Sequence, residues 1–279
     1  MTAMRLGVED ANFLFDFVRR RSSISLDESK LYLLATRLAP VLRDHELSDS
    51  HALVMALQRA GTGARALQQD VVEAMTTNET SFFRDERPFA FLRDEAIPEL
   101  LRARRAQRRL RIWSAACSTG QELYSIAMLL DREFPETSGW DIELMGTDLD
   151  GKVRARASEG LYSSVEVRRG ISDELRDLYF TGEGTRWRIS ERLRRRVRFW
   201  KLNMTDPWTS VDKVDMLFMR NVLIYFDRDV KCSLLQRAHD QLADDGFVFL
   251  GNAETTHDME PRLVPARGNL SSCYQKSRG

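Results

Sequence analysis

Residues 110–122 read Leu-Arg-Ile-Trp-Ser-Ala-Ala-Cys-Ser-Thr-Gly-Gln-Glu, an apolar run, then small residues, then the first turn of a helix. Leu110 to Ala116 has the length and composition of a buried strand, and Ile126, Ala127, Leu129 and Leu130 fall inward over a helix from Glu122 to Arg132. Moving outward, strand-like runs recur at Ile142 to Thr147, Val197 to Leu202, Val214 to Met219 and Phe247 to Gly251. A second amphipathic helix, Asp229 to Asp244, turns Leu234, Leu235, Ala238 and Leu242 inward. Strands alternating with helices imply a mostly parallel sheet with crossover helices, so the fold class is α/β.

Upstream, from Phe13 to Met75, every apolar cluster has helical spacing: Phe13, Leu14, Phe17 and Val18, then Leu31, Leu34, Leu38, Val41 and Leu42, then Leu53, Val54 and Leu57. Ser25 with Glu28 fits a capping box for the second helix, Ser48 or Asp49 can cap the third, and Gly61 and Gly63 mark the break after it. One stretch interrupts the strand-helix rhythm downstream. Gly170 to Arg196 contains TGEGTRWRIS, a glycine turn between two short alternating runs, which predicts a small antiparallel insert.

A chain of 279 residues accommodates two unequal domains. With 43% apolar and 30% charged residues it is a globular protein with a real core. Forty-two basic residues cancel forty-two acidic ones, so no global field holds polyanions and any basic surface is local. The three cysteines, 117, 232 and 273, are far apart and the four histidines are scattered, which predicts neither a disulfide framework nor a metal site. The N-terminal stretch has no leader cleavage pattern and no apolar run of membrane-spanning length, so a cytoplasmic location is expected.

In an open α/β sheet, ligands bind beyond the carboxyl ends of the strands. The loop Ser114 to Glu122 is neither GxGxxG nor a phosphate-binding loop, since only Gly120 is glycine and no Lys follows it. Its small side chains admit a ligand close to the backbone, although an ordinary strand-to-helix turn has the same composition. The second strand ends in Gly146-Thr147-Asp148-Leu149-Asp150. A strand-end carboxylate there suits a ribose diol, while a helix cap is the competing role, open to Asp148 and Asp150 alike. Arg220 and Asn221 follow the Val214 to Met219 strand, and Thr77 to Arg84 is a polar cluster ending in two Phe and an Arg. Together the loops favour an adenosine-containing ligand without a long phosphate chain.

TNETSFFRD, WSAACSTGQELYSIAMLL, GTDLD, LYS and RNVLIYFD, in this order and spacing, resemble the CheR-type chemotaxis receptor methyltransferases. Lys30, Arg37 and Leu38 look like part of that family's small helical domain. The resemblance implies a Rossmann-like S-adenosylmethionine-dependent methyltransferase sheet with an N-terminal helical domain and a small antiparallel β insert. The expected boundaries are 1–76 for the helical domain and 77–279 for the methyltransferase domain, with the insert at about 165–197. It further implies methyl transfer to glutamate side chains on the cytoplasmic helices of chemoreceptors, without a metal. Cofactor contacts would fall on Asn78, Thr80, Arg84, Glu122, Asp148, Asn203, Met204, Arg220 and Asn221, with Tyr225 and Arg84 near the reacting methyl group. The family's loop usually reads STGEEPYS; here Gln121 and Leu123 replace a Glu and a Pro, while Glu122 and Tyr124 keep register.

A glutamate side chain, whose carboxyl ordinarily titrates at about 4.3, is already an anionic nucleophile at neutral pH. That agrees with motifs lacking a catalytic His. A nucleic-acid amino methyltransferase is the first rival, but Asn221 is followed by Val-Leu-Ile-Tyr and not by two prolines and an aromatic. A non-catalytic S-adenosylmethionine-binding signalling module is the second. Arg102 to Arg111 and Arg186 to Lys201 are Arg-rich, and the arginines at 102, 104, 105, 108 and 109 would wrap most of a helix, so only some can face a partner. The tight turn in GEGTRWR, Gly182 to Arg188, predicts direct recognition of receptor helices with little gain from a C-terminal receptor peptide. No nucleic-acid partner and no membrane insertion are expected.

Overall fold

The computed structural model describes residues 6–26, 28–59, 62–266 and 272–277. They form two compact units, Met1–Thr77 with Tyr225–Val230, and Asn78–Ile224 with Lys231–Gly279.

The first unit is helical: α1 (Val8–Ser22), α2 (Leu31–Asp44), α3 (Ser50–Gln58) and α4 (Thr62–Ala74). Its core holds most of the apolar residues the spacing selected, Leu14, Val18, Leu34, Leu38 and Leu53 among them, joined by Leu67 and Val71 from α4, whereas Phe13 is half-buried and Leu31, at the first position of α2, is exposed. Asp49 caps α3, accepting from the Ala52 N–H at 2.8 Å, while Ser48 donates to Asp49. The expected capping box does not start α2. That helix is preceded by a 3-10 turn, Glu28–Lys30, and its N-cap residue is Lys30. Ser25 instead donates its N–H to the Tyr225 carbonyl at 2.8 Å, beside an antiparallel bridge between Ile24 and Phe226. The Glu28 side chain and Gly61 lie outside the described residues, and Gly63 falls within α4.

In the second unit α5 (Glu86–Phe91), a π turn (Leu92–Ala96) and α6 (Ile97–Ala103) precede β1 (Arg109–Ala115). Then come α7 (Gln121–Glu133), β2 (Asp141–Asp148), α8 (Gly151–Glu159), β3 (Leu161–Ser163), α9 (Ser164–Arg168) and α10 (Asp173–Tyr179). The chain continues through β4 (Phe180–Glu183), β5 (Arg186–Ile189), α11 (Glu191–Arg194), β6 (Val197–Lys201) and β7 (Val214–Met219). It closes with α12 (Arg228–Gln241), β8 (Leu242–Leu250), β9 (Leu263–Pro265) and β10 (Cys273–Lys276).

The main sheet has the order β6-β2-β1-β7-β8-β10-β9. β6, β2, β1, β7 and β8 are parallel, and β10 and β9 are added antiparallel. The chain steps outward from β1 through β2 to β6 and returns to β7 on the other flank, so the order reverses beside β1. That reversal opens a crevice at the carboxyl ends of β1 and β7. Every β7 residue is buried, and Phe218 stacks on Phe249 with ring centroids 4.4 Å apart.

Three local expectations differ from the structure. The last long helix stops at Gln241 and not Asp244, because Leu242, fully buried, pairs with Val214 and begins β8. A register shift follows before Met216 meets Phe247, and a Cβ at Gly246 would approach the Asp215 carbonyl to 2.8 Å. The insert has three strands, ordered β3-β5-β4, where two were expected. β3 is too short to show a period, and is held by Tyr162, which is fully buried and donates to the Thr119 carbonyl at 2.6 Å. Finally, Arg102 to Arg109 do not wrap one helix, since α6 ends at Ala103 and Arg109 opens β1.

Candidate active site

The carboxyl ends of β1, β2 and β7, with the segment Asn78 to Asp85, all belong to the second unit, and at each of them except β2 the backbone is unusual. Ala116 (φ 58°), Ser118 (φ 52°) and Gly120 (φ 88°) follow β1, Phe83 (φ 46°) and Asp85 (φ 59°) lie in the upstream segment, and Asn221 (φ 58°) follows β7. Left-handed conformations cost non-glycine residues about 1 to 2 kcal/mol each and persist where surrounding contacts fix them. Those contacts are polar and identifiable.

Asp148 ends β2 and is 5% exposed. Its Oδ2 accepts from the Ser118 N–H at 2.8 Å and its Oδ1 from the Asp150 N–H at 3.0 Å. Burial is the main influence on its carboxyl and pushes the pKa up to about 6. Asp150 is the cap of α8, accepting from the Lys152 and Val153 N–H groups and, through Oδ2, from Asn78 Nδ2 at 2.9 Å. The helix-cap role therefore belongs to Asp150, leaving Asp148 to shape the loop. Ser118 Oγ completes the link by donating to the Asn78 carbonyl at 2.8 Å.

A second cluster surrounds Arg220, whose side chain is 2% exposed. It donates to Glu122 Oε2 at 2.9 Å, to Asp85 Oδ2 at 2.8 Å and to the Arg84 carbonyl at 2.9 Å, while its Nε is buried without a hydrogen-bond partner among the described residues. The other Glu122 oxygen accepts from Ser114 Oγ at 2.7 Å. Arg220 thus ties the β7 end to the β1 loop and to the upstream segment. Arg84 joins this cluster through its carbonyl; its guanidinium donates to the Glu79 carbonyl at 2.9 Å. Thr80 is half-buried in the same segment.

Asn203 and buried Met204 follow β6, and the Leu202 N–H donates to the Asp148 carbonyl at 3.2 Å, which places them beside the acid. Asn203 Oδ1 accepts from Thr205 Oγ1 at 3.0 Å, and the Met204 carbonyl accepts from Trp208 Nε1 at 2.9 Å. Asn221 is held by Glu254, a buried acid at the end of β8. Glu254 Oε2 accepts from the N–H groups of Asn221 at 2.8 Å and Gly251 at 2.6 Å, and Oε1 from that of Ile224 at 3.3 Å. Tyr225 closes the turn Leu223–Tyr225 and belongs to the helical unit.

Sequence reasoning missed Asp85, Asp150's link to Asn78, and Glu254. The strand-end rule, applied to β8 as well, would have pointed to Glu254; Asp85's part depends on a positive φ that no sequence pattern marks. The glycines also act differently from expectation. A Cβ on Gly120 would lie 3.0 Å from Ala157 and Phe199 atoms, and one on Gly146 would lie 2.5 Å from Phe199 Cδ1. The space they leave is filled by the protein's own Phe199 ring.

Residues 78–267 match the family model described as CheR methyltransferase, SAM binding domain, and residues 9–76 match CheR methyltransferase, all-alpha domain. The chain belongs to the CheR methyltransferase family. Chemotaxis protein methyltransferase 1 of Pseudomonas aeruginosa is 40% identical over 248 residues, covering 87% of this chain and 89% of that one. Chemotaxis protein methyltransferase Cher2 of Pseudomonas putida is 39% identical over 93% of this chain and 94% of its own length. Chemotaxis protein methyltransferase 1 of Vibrio cholerae is 32% identical over 99% of both chains.

The donor set of this CheR-family chain suits S-adenosylmethionine. Each Asp148 oxygen accepts one hydrogen bond and keeps accepting capacity that would suit a ribose diol, the Glu122 carboxylate would suit an ammonium, and the Arg220 Nε–H is a buried donor with no partner among the described residues. Among the described residues no group of three or more His, Cys, Asp or Glu is arranged to hold a metal, and no helix is long and apolar enough to cross a membrane.

Proposed function

We propose that this CheR-family methyltransferase methylates glutamate side chains on the cytoplasmic helical domain of methyl-accepting chemoreceptors, with S-adenosylmethionine as donor and S-adenosylhomocysteine as product. The observation that carries the reading is the cluster in which buried Arg220 pairs with Asp85 and Glu122, adjoining the β1 loop that also meets Asp148. Bound there, the sulfonium supplies an electrophilic methyl group. Asp148 would accept from the ribose hydroxyls, Glu122 would pair with the ammonium, and Asn203 and Met204 would line the adenine side. Arg84 would pair with the carboxylate of the amino-acid portion, and Asn78, Thr80, Arg220 and Asn221 would complete the lining.

The acceptor carboxylate is ionised at neutral pH, so no residue must remove a proton from it. The protein's work is positioning and exclusion of water, for which the ceiling is about 7 to 11 kcal/mol. Arg220 contributes by fixing Glu122 in one orientation. The acceptor carboxylate is best steered by few contacts, since strong pairing would stabilise the nucleophile more than the transition state. Transfer of labelled methyl to a chemoreceptor cytoplasmic fragment tests the reading. The label should leave in mild alkali, as an ester does; alkali-stable label, label on RNA, or binding without transfer would refute it.

The docking reading keeps direct recognition of the methylation helices. It is supported by the two-residue turn Gly184-Thr185 between β4 and β5 and by the engagement of Trp187, whose Nε1 donates to Ser164 Oγ at 3.2 Å under Arg176. Such a turn offers little loop to grip an added strand. Isolated receptor C-terminal peptides should not saturate the protein at micromolar concentration, and binding lost on changing Trp187 or Arg188 would overturn this. The same reading puts the enzyme in the cytoplasm, with neither nucleic acid nor membrane insertion involved.

A further inference from the structure

The stretch RARRAQRRLR, residues 102–111, is sorted by the structure into two sets. Arg104 is tied to Asp215 at 2.8 Å and Asp245 at 2.5 Å, Arg109 to Glu143 at 2.9 Å, and Arg111 to Asp212 at 2.9 Å. Arg102, Arg105 and Arg108 are exposed and have no carboxylate within ion-pair distance among the described residues. Spaced by three, they line one groove of about 780 Å³ together with Pro98, Leu101, Phe134, Glu136 and Trp140. Phe134 and Leu101 are 7% and 9% exposed and Trp140 is half-buried, so the floor is apolar and aromatic while the rim is cationic. Arg102 complements the end of the α6 dipole, but Arg105 and Arg108 lie beyond the helix, where no dipole accounts for them.

We propose that this groove binds a nucleoside phosphate, distinct from the methyl donor. Three guanidinium forks match phosphate oxygens, Trp140 and Phe134 offer ring surface to a base, and Glu136 can accept from a base amino group. The volume lies in the range of about 300 to 1,000 Å³ usual for small-ligand pockets. An acidic peptide would instead call for an extended groove or a free sheet edge. Arg108 and Trp140 immediately precede β1 and β2, so the groove lies at the amino ends of the strands whose carboxyl ends carry Asp148 and lead to Glu122. Helix α7, 13 residues or about 20 Å long, runs from Gln121 beside the candidate active site to Phe134 in the groove. Both ligands can therefore be held at once.

The test is calorimetric titration of the full chain with ATP and GTP in the presence of saturating S-adenosylhomocysteine, with tripolyphosphate and a poly-glutamate peptide as comparators. Expected are saturable nucleotide binding with the methyl-donor site filled and a loss of about tenfold or more for Arg105→Gln/Arg108→Gln. Trp140→Leu should lower nucleotide affinity to that of tripolyphosphate. Neither arginine makes an ion pair among the described residues, so the double variant should fold, as wild-type affinity for S-adenosylhomocysteine would show. Displacement of nucleotide by S-adenosylhomocysteine, unchanged binding by the double variant, or Arg-dependent binding of the peptide in place of nucleotide would overturn the proposal.

Discussion

Replacing Asp148 by Asn separates what this acid costs the fold from what it gives the site. Burial raises its pKa from 3.8 to about 6, so its contribution to stability is full below the unfolded value and is lost as pH rises through the folded one. At pH 7, keeping the buried carboxyl ionised costs about 3 kcal/mol. The amide of the variant would escape that cost but can accept from only one of the Ser118 and Asp150 N–H groups, forfeiting about 1 to 3 kcal/mol. Asp148→Asn is therefore expected to be neutral to about 2 kcal/mol more stable at pH 7 and to lose that advantage near pH 4. Binding runs the other way. If only the ionised acid accepts from the ribose, the competent fraction falls about tenfold between pH 7 and pH 5. Calorimetry with S-adenosylhomocysteine from pH 5 to 8, paired with denaturant unfolding, checks both halves. Wild-type affinity in the variant, or a wild-type profile flat from pH 7 to 5, would refute the assignment.

Arg220→Met leaves Glu122 and Asp85 without their shared cation. Since both carboxylates keep some solvent contact, the low end of the usual 3 to 5 kcal/mol, about 3, is expected in urea unfolding, with weaker cofactor binding. Glu254→Ala removes the acceptor of three backbone N–H groups and should lower kcat more than Glu254→Gln, which keeps one oxygen for Asn221 and Gly251; equal effects would argue against a positioning role. Gly146→Ala drives a methyl into the Phe199 ring and should cost about 1 to 3 kcal/mol, recovered in part by Phe199→Leu and measured by thermal unfolding.

The α/β architecture was legible because β1, β2 and β7 are largely apolar runs bounded by turns and α7 carries apolar residues at helical spacing, although that helix proves buried on every side from Leu123 to Leu130. The boundary between α12 and β8 was not, because Leu242 satisfies the helical period and the strand pairing alike. β3 escaped notice because three residues carry no period. At the candidate site, strand-end logic selected Asp148, Arg220 and Asn221 and the family resemblance added Glu122, and the structure places Glu122 and Arg220 in one ion cluster. The choice between Asp148 and Asp150 as cap was decided by backbone N–H directions, and the part played by Asp85 by a left-handed φ. Both are properties of three-dimensional geometry that composition does not encode.

Phe199 sits in the volume that Gly120 and Gly146 leave open, so three positions scattered over eighty residues share a single steric allowance. A chain that drifts to a larger residue at 146 must first shrink the ring at 199, which opens a cavity the fold can carry, whereas the reverse order drives a Cβ to 2.5 Å from the Phe199 ring. Substitution across this fold is thereby made directional. The aromatic position has to yield before the glycine can, and a survey of sequence pairs should find the small-for-large exchange at 199 without a change at 146 far more often than the converse.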